Sequence, residues 1–221
     1  MTTARNPLEQ QRRDLVAHLQ RRGIHDERVL QAIASVPREK FIPASMRGRA
    51  YEDSALPIDQ LQTISQPYTV ASMTEALHLT LGATVLEIGT GSGYQAAVLS
   101  VMGMQVFTIE RHLNLSQQAR GVLTSLGYGN IQFRVGDGTI GWSEHAPYDG
   151  IIVTAGAPDV PQTLAKQLKI GGRLVIPVGD RAMQRLYRIT RTDEEDWSGE
   201  DLGEYKFVPL IGREGWSDAA R

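Results

Sequence analysis

A chain of 221 residues, 41% of them apolar, is long enough to bury one substantial core, and a single domain is the expectation. A net charge of −2 leaves no basic excess of the kind that marks a nucleic-acid binder, and the lack of any cysteine excludes disulfides and thiolate-bound metals. The opening stretch MTTARNPLEQQRRDL has no leader-like apolar run and nothing approaches bilayer length, so a soluble, cytoplasmic chain with no membrane partner is expected.

Asn6 and Pro7 read as a helix start, with Asn as the cap and Pro at the first helical position. Leu8, Leu15, Val16 and Leu19 then recur at helical spacing, and Gly23 closes the helix. A second helix starts at Asp26, carries Val29, Leu30 and Ile33, and stops at Pro37. The stretch from Glu52 to Pro67 is rich in turn residues and has no period; a connection that long often carries function. A third helix holds Val70, Met73 and Leu77.

From Thr84 the pattern changes. The strand-like runs TVLEI, QVFTIE, IQFRV, GIIVTA and RLVIPV alternate with the helix-like runs GYQAAVLSVM, LNLSQQARGVLTSL and VPQTLAKQL. Such alternation predicts βαβ units and a parallel sheet covered on both faces. QRLYRITRT is expected as an antiparallel edge strand, DEEDWSGED as a solvated hairpin tip and YKFVPLI as the last strand.

The informative stretch is VLEIGTGSGYQ, residues 85–95. Gly89, Gly91 and Gly93 lie where a strand ends and a helix begins, the place at which parallel sheets bind ligands. The third glycine comes one residue too early for a dinucleotide fingerprint, and Tyr94 takes its slot. Glu87 is a poor neighbour for pyrophosphate but a good one for sulfonium and ammonium charges: unit charges at about 4 Å attract by about 4 kcal/mol at an effective dielectric of 20. Glu110 ends the next strand, where a carboxylate accepts ribose hydroxyls, and Asp137 follows the third, within reach of an adenine amino group. A glycine turn and three carboxylates after three successive strands favour S-adenosylmethionine over NAD. Alone, each has a plainer reading: a tight junction, a strand end, an Asp-Gly turn.

With VPREKFIP (36–43), ALPI (55–58), QTISQPY (62–68), GDG (136–138), YDGIIVTA (148–155), GGRLVIPVG (171–179) and FVPLI (207–211), the chain resembles the protein-L-isoaspartate O-methyltransferase family, most of all its bacterial members. The glycine motif is common to many methyltransferases; QTISQPY and VPREKFIP are far more specific to this family and carry the resemblance. The resemblance implies an α/β fold: a Rossmann-like S-adenosylmethionine-dependent methyltransferase sheet with added N-terminal helices and C-terminal strands. In one domain, residues 1–83 would form the helices and substrate loop, 84–180 the cofactor core, and 181–221 the C-terminal strands and tail. It also implies methyl transfer from S-adenosylmethionine to the α-carboxyl of L-isoaspartyl residues in damaged proteins and peptides, followed by collapse to a succinimide. Ser65 would be the active-site residue. Glu87, Gly89, Thr90, Gly91, Gly93, Glu110, Asp137 and Gly138 would hold the cofactor, and Ile64, Ser65, Phe207 and Val208 the substrate.

The chemistry agrees, because a carboxylate is already a nucleophile at neutral pH and needs no general base. The histidines (His18, His25, His78, His112 and His145) show no metal-ligand spacing, and no metal is expected. Asp59 and Leu61 stand where family members often have glycine, and Tyr205 and Lys206 where they tend to have Val-Arg. Both changes fall in segments expected to border the substrate. A methyltransferase acting on another carboxylate or small molecule, and a non-catalytic S-adenosylmethionine-binding module, stay open at this point. A monomer is the default.

Overall fold

The computed structural model describes residues 7–218. Helix α1 (Pro7–Arg21) starts at the expected proline and buries Leu15 and Leu19; Asn6, its expected cap, lies outside the described residues. In α2 (Glu27–Ser35) the Asp26 carboxylate accepts from Arg28 N at the N-terminus, satisfying a donor the helix itself leaves unpaired. Val29, Leu30 and Ile33 form its buried face. After the long connection, α3 (Pro67–Ala76) begins on Pro67 and buries Val70 and Met73. Each such aliphatic side chain contributes about 1.5–3 kcal/mol when fully buried. No described helix is long and apolar enough to cross a membrane.

Inside the long connection, β1 (Leu56–Pro57) and β2 (Thr63–Ile64) pair antiparallel. From Thr84 onward come β3 (Thr84–Ile88), α4 (Tyr94–Val101), β4 (Gln105–Glu110), α5 (Leu113–Ser125), β5 (Ile131–Val135), β6 (Tyr148–Val153), α6 (Gln162–Lys166), β7 (Leu168–Gly179), β8 (Gln184–Arg191) and β9 (Trp197–Tyr205). They build a seven-stranded sheet in the order β5-β4-β3-β6-β7-β8-β9, parallel as far as β7 and antiparallel beyond it. The chain enters at β3, moves outward to β5, then crosses back to β6. The switch point therefore lies between β3 and β6.

Strand alternation splits the core in two. Val85, Val106 and Ile152 meet α1–α4, while Leu86, Ile88, Phe107 and Ile151 meet α6 and the C-terminal segment.

The C-terminal strands differ from expectation. The last strand is β9, Trp197–Tyr205, and the hairpin tip is shorter than DEEDWSGED. An edge strand pairs on one side only, so acidic residues fit it: Asp201 and Glu200 pair with Arg185 and Arg188 of β8. FVPLI makes no ladder, only two isolated bridges: at Pro209, where Gly156 N donates to Val208 O and Leu210 N to Gly156 O, and at Ile211 with Trp216.

Candidate active site

The end of β3 runs into the glycine turn, and the hydroxyl of Thr154, just past β6, donates to Ile88 O (3.0 Å) and Gly89 O (2.8 Å). That links the two strands across the switch point. Gly89 has φ +94°, and a Cβ built there would collide with Thr154 Oγ1. Only glycine fits such a position.

Glu110, at the end of β4, clamps two turns. Its Oε2 accepts from Gly91 N and its Oε1 from His112 N, each at 2.9 Å. Three more amides of this stretch are used internally: Gly89 N donates to Ile109 O, Gly93 N to Thr90 O and Tyr94 N to Ser92 Oγ. A phosphate needs such amides pointing at it; here those of all three glycines point at protein oxygens.

Glu87 is fully buried in β3. Thr90 Oγ1 and Thr108 Oγ1 lie 2.6 Å apart, and Thr108 Oγ1 donates to Glu87 Oε2 at 2.5 Å; Glu87 Oε1 has no partner. Burial, eased by the Thr108 bond and the Ala96 backbone N–H and reinforced by the charge of Glu110, pushes this carboxyl up to about 8.

Around the turn lies a cavity of about 310 Å³, within the range of small-molecule sites. Ile64, Ser65, Gly89, Thr90, Gly91, Glu110, Gly138 and Val208 line it. Three of the expected cofactor residues do not. Glu87 lies beneath the turn. Gly93 caps α4, and a Cβ there would press on Leu123 and Ala119 of α5. Asp137 accepts from Thr139 N (2.8 Å), Thr139 Oγ1 (2.7 Å) and Arg213 N (2.8 Å), so it fastens the C-terminal loop. Burial raises its carboxyl, but those hydrogen bonds more than offset it and hold it below the usual carboxylate value.

A second cavity of about 720 Å³ opens beside the first. The two share Thr63, Ser65, Thr154 and Val208. Phe207 lines only the second, with Tyr68, Tyr205 and Lys206. Thr154, which joins both strands and both cavities, is the site residue that sequence reasoning missed.

The hairpin of β1 and β2 roofs the first cavity. Asp59 O accepts from Gln62 N at 3.2 Å, and the residues between, Gln60 and Leu61, have φ of +59° and +56°. Positive φ at both central positions is the mark of a type I′ turn. Leu61 lines the first cavity and is 88% exposed; Asp59 lines neither, and its carboxylate accepts from Gln118 of α5. These departures thus sit over the glycine turn, away from the second cavity. Leu61→Gly is expected to stabilise the fold by about 0.5–1 kcal/mol. It relieves about 1–2 kcal/mol of left-handed strain and loses about 0.5–1 kcal/mol to unfolded-chain freedom. Urea melts check this, and a lower midpoint for the variant would refute it.

Among the described residues no group of three His, Cys, Asp or Glu is placed to hold a metal. S-adenosylmethionine, by contrast, fits what is present: a buried carboxylate oxygen lacking a partner, a turn whose glycine amides are already taken by protein oxygens, and Glu110 in the wall.

The profile of the protein-L-isoaspartate(D-aspartate) O-methyltransferase family matches residues 10–215. Protein-L-isoaspartate O-methyltransferase 2 of Pelobacter propionicus is 58% identical over 196 residues, covering 88% of this chain and 87% of its own. Protein-L-isoaspartate O-methyltransferase 1 of Geotalea uraniireducens is 56% identical over 200 residues, covering 90% and 91%. Among solved structures, a protein-L-isoaspartate O-methyltransferase superposes with a TM-score of 0.82 at 33% identity, over 92% of this chain and 67% of that one. A Plasmodium falciparum structure described as a protein-L-isoaspartate O-methyltransferase in complex with S-adenosyl-L-homocysteine gives 0.79 at 26% identity, over 90% and 98%.

Proposed function

The chain belongs to the protein-L-isoaspartate(D-aspartate) O-methyltransferase family, and from that premise we propose which of its residues perform the methyl transfer. It is an S-adenosylmethionine-dependent methyltransferase that acts on the α-carboxyl of L-isoaspartyl residues and so starts their repair. One observation carries the assignment of roles: two cavities, one around the glycine turn and one beside it, share Ser65, Thr154 and Val208. The first holds the methyl donor; the second receives the damaged peptide.

Bound S-adenosylmethionine supplies the methyl group, activated on its sulfonium. Glu110 and the Gly89–Gly91 backbone hold that ligand from the first cavity, Glu110 accepting from its ribose. Ser65 holds the acceptor. Its hydroxyl makes no hydrogen bond with any described residue, so it does not cap the loop and is left to donate to the substrate carboxylate. Val208 and Phe207 make an apolar wall that keeps water from the carboxylate. Rate comes from alignment, since well-oriented reactions reach effective molarities of about 10⁵–10⁸ M.

Ser65→Ala is the test. A hydrogen bond to a charged group is worth about 1.5–3 kcal/mol, so kcat/KM on an isoaspartyl peptide should fall about tenfold to a hundredfold. The dissociation constant for S-adenosylmethionine should change less than about twofold, because the hydroxyl holds only the acceptor. Full activity in the variant would remove Ser65 from the mechanism. An equal loss of donor affinity would mean that the substitution collapses the roof instead.

A further inference from the structure

Glu87 is a buried acid that the transfer step does not use. It lies beneath the glycine turn, fully buried, with Oε1 unpartnered. Yet it is only two hydrogen bonds from the donor cavity, through Thr108 Oγ1 (2.5 Å) to Thr90 Oγ1 (2.6 Å), and Thr90 lines that cavity. Each threonine hydroxyl both donates and accepts, so this chain can pass a proton between Glu87 and the cavity.

The two ligands that occupy such a cavity in turn differ in charge. The methyl donor carries a sulfonium, an ammonium and a carboxylate, net +1. The demethylated product has a neutral thioether and is net zero. A carboxylate sealed from water is disfavoured unless a positive charge stands near it. Glu110 on β4 is the charged group acting on Glu87, and it makes ionisation harder still; the Ala96 backbone N–H of α4 eases ionisation only slightly, and Ile152 of β6 is uncharged. The missing positive charge can come only with the ligand.

We propose that Glu87 is the residue by which the site distinguishes the methyl donor from its product: it gives up its proton when the cationic donor binds and takes one back when the charge on sulfur is gone. This rests on the donor assignment above. The proton leaves along Thr108 and Thr90 to solvent and returns the same way, so one turnover leaves the proton count unchanged. The product, unable to hold Glu87 ionised, gains nothing from it.

The sign follows from linkage. In the free site Glu87 keeps its proton up to about pH 8. Between a lower donor-bound value and pH 8, donor binding must expel that proton, so donor affinity rises with pH and then levels. Product affinity lacks this contribution. With the free site at about 8, a downward shift of about two units in Glu87 gives about a tenfold preference for the donor at pH 7.

The experiment is titration calorimetry of S-adenosylmethionine and of S-adenosylhomocysteine at pH 7, in two buffers of different ionisation enthalpy, with wild type and Glu87→Gln. The ligands' own amino group titrates near pH 8, so the variant supplies the baseline. Wild type should release more protons than Glu87→Gln with the donor and the same number with the product. The donor-to-product affinity ratio should fall about tenfold in the variant. Infrared difference spectra of wild type give a second reading that needs no variant: a buried carboxylic-acid band lost on adding donor and kept on adding product. Equal proton release with both ligands, or a band unmoved by donor, overturns the proposal. Failure of either ligand to bind wild type overturns it together with the donor assignment.

Discussion

Glu110→Ala is expected to raise the dissociation constant for S-adenosylmethionine by about a hundredfold or more. The carboxylate does two things at once. It accepts from Gly91 N and His112 N, fixing the turn after β3 against the turn after β4, and it stands in the cavity wall. Charge-assisted hydrogen bonds are worth about 1.5–3 kcal/mol each. Water can enter the space left by alanine and recover part of that, so a loss near 3 kcal/mol is expected, about a hundredfold. Glu110→Gln separates the parts. An amide keeps one acceptor oxygen, so one of the two backbone donors stays satisfied and the other faces an N–H. Its loss should be intermediate, near tenfold. Calorimetry on both variants decides; a donor affinity within about threefold of wild type in Glu110→Ala would dismiss Glu110 as the anchor.

The sequence disclosed the sheet because its strands and helices are written locally: TVLEI and QVFTIE are apolar runs, and each helix between them has its own period. It disclosed the glycine turn for the same reason. It misjudged residues whose role depends on distant partners. Glu87 alternates with Leu86 and Ile88 along β3, so its side chain goes under α4 and not into the space past the strand end, where ligands lie. Asp137 looked like a ligand contact, but its carboxylate is engaged by Arg213 N, 76 residues further on. Thr154 gave no local signal at all. It matters because β3 and β6 are neighbours, and that adjacency is set by the order of strands across the sheet. Acidic β9 was hidden because an edge strand exposed to water has no apolar face to announce it. The tight I′ turn at Gln60 and Leu61 was hidden by residue types that rarely adopt it.

The second large effect is expected at Gly89. Gly89→Ala should lower donor affinity more than a hundredfold and peptide turnover with it, whereas Gly91→Ala should lower donor affinity only about tenfold. Both positions have positive φ, +94° and +52°, and share a backbone penalty of about 1–2 kcal/mol. They differ in what the added carbon meets. At Gly91 the nearest atom is Ile58 Cδ1 at 3.9 Å, an ordinary contact. At Gly89 the methyl group strikes Thr154 Oγ1, which holds Ile88 O and Gly89 O across the switch point. Moving Thr154 loosens the turn on the donor side and displaces a wall of the acceptor cavity on the other, so both ligands suffer. Thr154→Ala removes the obstacle along with its own two hydrogen bonds. The double variant Gly89→Ala with Thr154→Ala should therefore bind the donor better than Gly89→Ala alone, giving a coupling energy of about 1–2 kcal/mol where independent sites would add. Circular dichroism and thermal melts must show all four proteins folded, since only then does the cycle report on the site. Additive losses, or a Gly91→Ala variant weaker than Gly89→Ala, would mean that the bridge through Thr154 does not organise the two cavities.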